Sequence, residues 1–282
     1  MPVFSKKNDL TSFLHQDIPD SSTIGLVPTM GALHRGHLSL VKRALAENGS
    51  VVVSIFVNPT QFDNHKDLDK YPRNLDDDIN LLRKLSEKII VFAPSVDEIY
   101  GQNVQSKDYE FNGLDKVMEG TFRKGHFEGV GTVVELLFKT VAPDRAYFGE
   151  KDFQQLQIIK KLVHILDLPV EIIGCPIERE PHGLAMSSRN ERLSDKTRKK
   201  ANFIYHTLKD AKRKFGMENA KQITNRVIAE FKHNEDFELE YFQITDEDTL
   251  TPVITKQNHI KYRAFIAVYA DGVRLIDNLR LN

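Results

Sequence analysis

The chain has 282 residues, 40% hydrophobic and 28% charged, long enough to bury a sizeable core without disulfides or a structural metal. Its formal net charge of -1 excludes a global electrostatic attraction to nucleic acid or anionic lipid. Cys175 is the only cysteine, which excludes an internal disulfide, fits a reducing compartment and reads as a small buried filler between Ile173 and Ile177.

Met1 to Lys7 lacks the apolar stretch of a signal peptide, and no run approaches the ~20 apolar residues of a membrane span, so the expected location is the cytoplasm. Thr23 to Val27 reads as a buried strand stopped by Pro28. Leu38, Val41, Ala44 and Leu45 recur at helical spacing, with Asn48-Gly49 as a helix stop. Val51 to Val57 is a second strand, stopped by Asn58-Pro59. A helix over Asp76 to Leu85 leads to the strand Ile89 to Phe92. Helices over Val130 to Val141 and Phe153 to Leu166 enclose the strand Arg145 to Phe148, and Val170 to Ile173 closes the series. Strands alternating with helices predict a parallel sheet flanked by helices. After about residue 176 the texture changes. A loop rich in Arg and Ser leads to helices, then to strands over Leu239 to Ile244, Ala264 to Ala270 and Val273 to Asp277, with Asp271-Gly272 as a hairpin signal. The basic run Lys196 to Lys200 reads as a solvated helix face.

In an open α/β sheet, ligands bind beyond the carboxyl ends of the strands. Pro28 to His37, Asn58 to Phe62 and Gly149 to Gln155 fall there, and Met186 to Arg189 lies just past the change in texture. Gly31 and Gly36 allow close backbone approach at a helix start, where N–H groups and the dipole favour phosphate. His34 and His37, three apart, share one side of the first turn and can donate to phosphate oxygens; two polar loop histidines are the plainer reading. Lys151 is either a phosphate clamp or a partner of Glu150 or Asp152. Ser187, Ser188 and Arg189 suit pyrophosphate or a helix-capping loop. Gln61 and Gln155 can orient hydroxyl and carboxylate groups, or be structural. Asp76, Asp77 and Asp78 could help hold a cation or could simply favour a helix N-terminus. No third ligand stands at a zinc-like spacing from the histidines, and there is no Walker A or GxGxxG sequence.

Jointly these segments resemble the pantothenate synthetase (pantoate–β-alanine ligase) family. The matches are Val27 to Gly31 with His34-Arg35-Gly36-His37, Ser54 to Pro59 with Gln61-Phe62, Tyr71-Pro72-Arg73, Phe92 to Ser95, Gly125-His126-Phe127, Phe148 to Gln155, Leu184 to Asn190, and Arg274 to Asn278. They run in the family's order through nearly the whole chain. The resemblance implies an α/β fold: a Rossmann-like parallel sheet in a catalytic domain over 1–176, and a smaller C-terminal α+β domain over 177–282 that closes over the ATP site.

The resemblance also implies the chemistry. His34 to His37 stands for the HIGH motif of the nucleotidyltransferase superfamily, and Met186 to Arg189 for its KMSKS loop. Pantoate carboxylate attacks the α-phosphate of ATP, and the β-alanine amine then attacks the pantoyl adenylate. His37 is implied as proton donor, assisted by His34, with Lys151 and Arg189 neutralising charge. Met30, Gly31, Ala32, Leu33, His34, Arg35, Gly36, His37, Gly149, Glu150, Lys151, Asp152, Glu178, Met186, Ser187, Ser188 and Arg189 are implied to meet ATP. Gln61 and Gln155 would hold pantoate, with Pro28, Met30 and Phe62 against its methyl groups. Mg²⁺ accompanies ATP; no organic prosthetic group, nucleic acid or membrane partner is implied, and the working form is a homodimer. Glu178 stands where the family has an apolar residue, and Glu128 where a basic residue is commoner. Residues 62–74 are expected to form either a lid or an exposed connection. A nucleotidyltransferase acting on a phosphorylated acceptor would share the histidines and serine loop but not the paired glutamines. A non-catalytic nucleotide sensor would not need the full set His34, His37, Lys151, Ser187, Ser188 and Arg189.

Overall fold

The computed structural model describes residues 1–63 and 65–282. Its chain divides into two compact units, Met1–Glu150 with Gln155–Pro176, and Lys151–Gln154 with Ile177–Asn282.

The first unit opens with β1 (Val3–Phe4), α1 (Lys7–Asp17), β2 (Ile24–Thr29), α2 (Arg35–Glu47) and β3 (Ser50–Ile55). A 3₁₀ turn over Pro59–Gln61 precedes α3 (His65–Asp69), α4 (Leu75–Leu85), β4 (Ile90–Phe92) and α5 (Val96–Tyr100). Then come α6 (Glu119–Phe122), α7 (His126–Val141), β5 (Arg145–Gly149), a 3₁₀ turn over Glu150–Asp152, α8 (Phe153–Ile165) and β6 (Glu171–Cys175). The six strands form one sheet in the order β1-β4-β3-β2-β5-β6, all parallel. Parallel sheets are buried on both faces, so their strands read as continuous apolar runs rather than alternations. On one face Val27, Val51, Val53, Val91 and Tyr147 meet Leu40, Val41 and Ala44 of α2 and Leu82 of α4. Leu26, Val52, Ile90 and Ala146, which alternate with them, are equally buried, and α7 packs on β2 and against α1.

β2 does not stop at Pro28, as the sequence suggested; it runs through Pro28, which pairs in register with Ser54, to Thr29. Successive residues of a strand turn their polar groups to opposite neighbours. Thr29 O accepts from Phe56 N beside β3, whereas Ile24 O accepts from Asp144 N beside β5. Pro28 shares the parity of Ile24 and lies beyond Leu26, the last β2 residue paired with β5, so its missing N–H breaks no ladder bond. β3, conversely, ends at Ile55, two residues before the expected Val57.

The second unit contains α9 (Asp195–Lys200), α10 (Asn202–Phe215), α11 (Ala220–Lys232) and the antiparallel sheet β7-β8-β9, with β7 at Glu238–Asp246, β8 at Tyr262–Ala270 and β9 at Val273–Arg280. Ile204, Leu208, Ala211 and Phe215 of α10, and Ala220, Ile223, Val227 and Phe231 of α11, repeat every three or four residues and share one core with Phe242, Ile244, Ile266 and Val268. Asp271 and Gly272 both take positive φ, 50° and 70°, the geometry of the tight hairpin their sequence announces. Lys151–Gln154 groups with this unit because Phe153 packs on Phe265, ring centroids 5.9 Å apart, and lies under the Arg263 guanidinium, 3.9 Å from the ring centroid.

Candidate active site

β2 is the point where the order of the first sheet reverses: β3 and β4 lie to one side, β5 and β6 to the other. A crevice opens beyond the carboxyl ends of the strands at such a point. Two segments implied to meet ATP leave the sheet there: Met30 to His37 after β2, and Glu150 after Gly149, the last residue of β5.

The loop after β2 is held in a strained shape. Gly31 and Ala32 have φ of 77° and 49°. A side chain at Gly31 would place Cβ 2.9 Å from Asp78 Oδ2, so both conformation and space call for glycine. Ala32 pays the usual L-residue penalty for positive φ. Asp78 holds it there: its Oδ2 accepts from Ala32 N at 3.0 Å and its Oδ1 from Leu33 N at 2.6 Å. Burial pushes the Asp78 carboxyl above its ordinary value, while the Leu33 and Ala32 N–H bonds favour the charged form. Thr29 Oγ1 donates to Ser54 O and accepts from Gly31 N.

Both histidines belong to the helix start. His34 is the N-cap of α2: its Nδ1 accepts from Gly36 N at 3.1 Å, and His37 Nδ1 accepts from His34 N at 3.3 Å. Each imidazole therefore completes half of a reciprocal capping box, a role usually taken by Ser and Glu. A ring nitrogen that accepts an N–H carries no proton. With the cap intact, both rings carry their proton on Nε2, and their centroids are 4.1 Å apart. The pair presents neutral Nε2–H donors, and protonation at Nδ1 would break the cap.

Gln61 is buried in the 3₁₀ turn after Asn58. Asn58 Nδ2 donates to Gln61 Oε1 at 3.1 Å and to Gly129 O at 3.1 Å. Asn58 Oδ1 accepts from Tyr100 Oη and Thr60 Oγ1; the Gly129 carbonyl, which can only accept, fixes the Asn58 amide and so makes Nε2 the donor end of Gln61. His126, buried at the start of α7, bonds Gln61 O through Nδ1 at 2.8 Å. α7 approaches this turn so closely that a Cβ on Gly129 would lie 2.4 Å from Thr60 O. Pro28, Met30, Phe62 and Gln155 are half-buried. The Phe62 ring meets Tyr71 edge-on at 5.7 Å. Of the segment expected as a lid, Asn64 lies outside the described residues.

The remaining predicted residues lie in the second unit. Lys151 Nζ is 3.7 Å from Asp152 Oδ1, and Lys151 O accepts from Asn278 Nδ2 at 2.9 Å. Glu178 has an exposed side chain; its carbonyl accepts from Met186 N, across the bridge that joins Arg179 to Ala185. Ser187 caps the 3₁₀ turn Ser188–Arg192 by accepting from Arg189 N. Beneath that turn, Asn190 Nδ2 donates to Glu180 Oε1 and Ala185 O. Burial works against the Glu180 charge, but hydrogen bonds from Arg198 and Asn190 outweigh it and hold the carboxyl below its ordinary value.

The first unit thus assembles Met30 to His37 with Asp78, and Gln61 with Asn58, Tyr100 and His126. The reading of the sequence named no role for Asn58, Tyr100 or His126, and it gave Asp78 only as one of three acids at a helix start; the burial of a polar Asn58 and an acidic Asp78 is a tertiary signal. The aspartates are indeed a helix N-terminus, with Asn74 capping Asp77 N, but the third of them turns inward as a brace. Among the described residues no group of three or more His, Cys, Asp or Glu could hold a metal ion. No described helix is long and apolar enough to cross a membrane. Cys175 is buried and free.

Known proteins give this geometry its context. The sequence model of a family described as pantoate-beta-alanine ligase matches residues 2–280. The chain is 58% identical to the pantothenate synthetase of Christiangramia forsetii over 282 residues, all of both chains. The crystal structure of a pantothenate synthetase from Thermus thermophilus matches with a TM-score of 0.91 and 39% identity, over 100% of this chain and 99% of that one. A pantoate-beta-alanine ligase from Francisella tularensis, complexed with beta-gamma ATP and beta-alanine, matches with a TM-score of 0.81 and 37% identity, over 100% and 98% of the two chains.

Proposed function

The chain belongs to the pantoate–β-alanine ligase family, and from that premise we propose which of its residues perform the reaction. The enzyme condenses pantoate with β-alanine at the expense of ATP and forms AMP. A pantoate carboxylate oxygen attacks the α-phosphorus; the bond to pyrophosphate breaks, leaving pantoyl adenylate. The neutral β-alanine amine then attacks the acyl carbon, AMP leaves, and the nitrogen loses a proton.

The first step needs charge neutralised on the phosphates more than it needs a covalent catalyst. His37 and His34 supply it as Nε2–H donors, Lys151 and Arg189 as cations, and Ser187 and Ser188 as hydroxyl donors. Met30 to Leu33, Arg35 and Gly36, Gly149, Glu150, Asp152, Glu178 and Met186 complete the contacts to ATP. Gln61 donates through Nε2 to an oxygen of pantoate, Gln155 binds a second one, and Pro28, Met30 and Phe62 receive the methyl groups. Mg²⁺ would come with ATP, carried on its phosphates; Asp78, which binds the N–H groups of Ala32 and Leu33, is given no part in holding it. The working form is a homodimer in the cytoplasm, which light scattering and fractionation test.

One observation carries the assignment within the first unit: the reciprocal cap that holds both histidines as Nε2–H donors where the sheet order reverses. The purified protein should release AMP from ATP only with pantoate and β-alanine both present. AMP release without β-alanine, or indifference to pantoate, would overturn the assignment. His37→Ala should abolish most turnover while the protein stays folded; if turnover survives, His37 is not the donor.

A further inference from the structure

The C-terminal segment Arg274 to Asn278 matches the family yet has no role in the chemistry above. It lies on β9, where Asp277 and Asn278 are both buried, at 4% and 1% exposure. Asn278 bonds on three sides. Its backbone N donates to Asp277 Oδ1 at 2.8 Å, its Oδ1 accepts from Arg263 Nη1 at 2.6 Å, and its Nδ2 donates to Lys151 O at 2.9 Å. A guanidinium has only donors, so Arg263 determines which end of the amide is oxygen. The –NH₂ end must then face the Lys151 carbonyl. Arg263 cannot turn away, because its Nε is bound to Glu247 Oε1 at 2.7 Å and its plane covers Phe153 at 3.9 Å. Glu247, Arg263 and Asn278 thus form a buried chain that ends on the peptide carbonyl of Lys151.

The neighbouring residue serves the other loop. Successive side chains of a strand point to opposite faces. Asp277 binds Arg179 through two bonds, to Nη1 at 2.6 Å and Nη2 at 2.9 Å, and Arg179 Nη1 also donates to Gly183 O. Arg179 lies on the bridge that leads into Met186 to Arg189. Consecutive residues of one strand therefore anchor two segments assigned to ATP.

We propose that Asn278, oriented by Arg263, is a positioning residue for Lys151: it holds the 3₁₀ turn Glu150–Asp152 so that the ammonium keeps its place at the nucleotide phosphates. The proposal rests on Lys151 acting on ATP, and its test separates the two. Asn278→Asp keeps shape and the acceptor for Arg263, but sets an oxygen against the Lys151 carbonyl. It is measured alone, with Lys151→Met, and in the double variant, by pantoate-dependent exchange of pyrophosphate into ATP. Asn278→Asp should lower kcat/KM for ATP about tenfold to a hundredfold, as a displaced reactive group does, and leave KM for pantoate unchanged. On the Lys151→Met background it should cost nothing further, because interacting positions are not additive. An equal loss on both backgrounds, or no loss at all, overturns the positioning role while Lys151 stands. A harmless Lys151→Met overturns the Lys151 assignment, and the positioning role with it. Thermal unfolding accompanies each variant, and Asn278→Ser repeats the cycle if the aspartate variant does not fold.

Discussion

Replacing Asp78 with asparagine puts the strained loop after β2 under direct test. The carboxylate accepts from two backbone N–H groups, Ala32 at 3.0 Å and Leu33 at 2.6 Å, and is 3% exposed. A hydrogen bond to a charged group stabilises by about 1.5–3 kcal/mol. Asparagine can keep one of the two as a neutral bond worth about 1 kcal/mol, and it turns –NH₂ against the other N–H, stranding a buried donor. Burial already opposes the Asp78 charge, so the neutral amide recovers part of the loss. The net destabilisation is roughly 2 kcal/mol. At about 2–4 °C per kcal/mol, Tm should fall by roughly 4–8 °C. With its clamp weakened, Ala32 can relax from φ 49°, and the start of α2, with both histidines, moves with it. The kcat/KM for ATP should fall about tenfold to a hundredfold in pyrophosphate exchange, the cost of misplacing reacting groups by about 1 Å. Asp77→Asn, on the exposed side of the same turn, is the control. If Asp78→Asn leaves both Tm and kcat/KM for ATP within error of the parent, the brace is not what holds the loop.

Three other outcomes follow from the same geometry. Gln61→Glu keeps the acceptor for Asn58 but presents a carboxylate where the –NH₂ stood; KM for pantoate should rise on the order of a hundredfold, from a lost charged-group hydrogen bond plus repulsion, with Tm little changed. An unchanged KM would place pantoate elsewhere. Gly31→Ala forces an L side chain into φ 77° with its Cβ against Asp78 Oδ2, so stability should fall by at least about 1–2 kcal/mol and ATP turnover with it, read by denaturant unfolding and AMP release. Burial of Glu135 opposes its charge, but hydrogen bonds from Lys107, Lys139 and Tyr109 win and hold its carboxyl down to about 2, against an ordinary 4.5. A carboxyl with a depressed folded pKa lends stability above its unfolded pKa and loses it as pH falls through the window between the two. Roughly 3 kcal/mol should therefore disappear between about pH 4.5 and 2, and Glu135→Gln should flatten that limb of the stability curve; an unchanged acid limb would refute the network.

Local features of the sequence determined a good deal. Apolar runs at strand length between helical periodicities meant a parallel sheet, because such strands are buried on both faces. Gly31, Gly36 and two histidines three apart at a helix start carried the nucleotide reading, and Asp271-Gly272 marked the hairpin, because each is chemistry of neighbouring residues. Tertiary structure decided what rests on distant pairing. Pro28 stays within a strand because its missing N–H falls beyond the last residue paired with β5, a matter of register that no single segment contains. Asp78 turned from a generic helix-start acid into the clamp on Ala32 and Leu33, 46 and 45 residues away. The donor end of Gln61 was settled by Asn58 and the Gly129 carbonyl, and the company of Lys151 by Asn278, 127 residues on. The histidines themselves changed meaning in the fold. Spacing put them on one helical turn, but only the bonds from Gly36 N and His34 N to their Nδ1 atoms determine which nitrogen carries the proton. Sequence reports what a residue can donate or accept; packing decides which of those capacities is already spent.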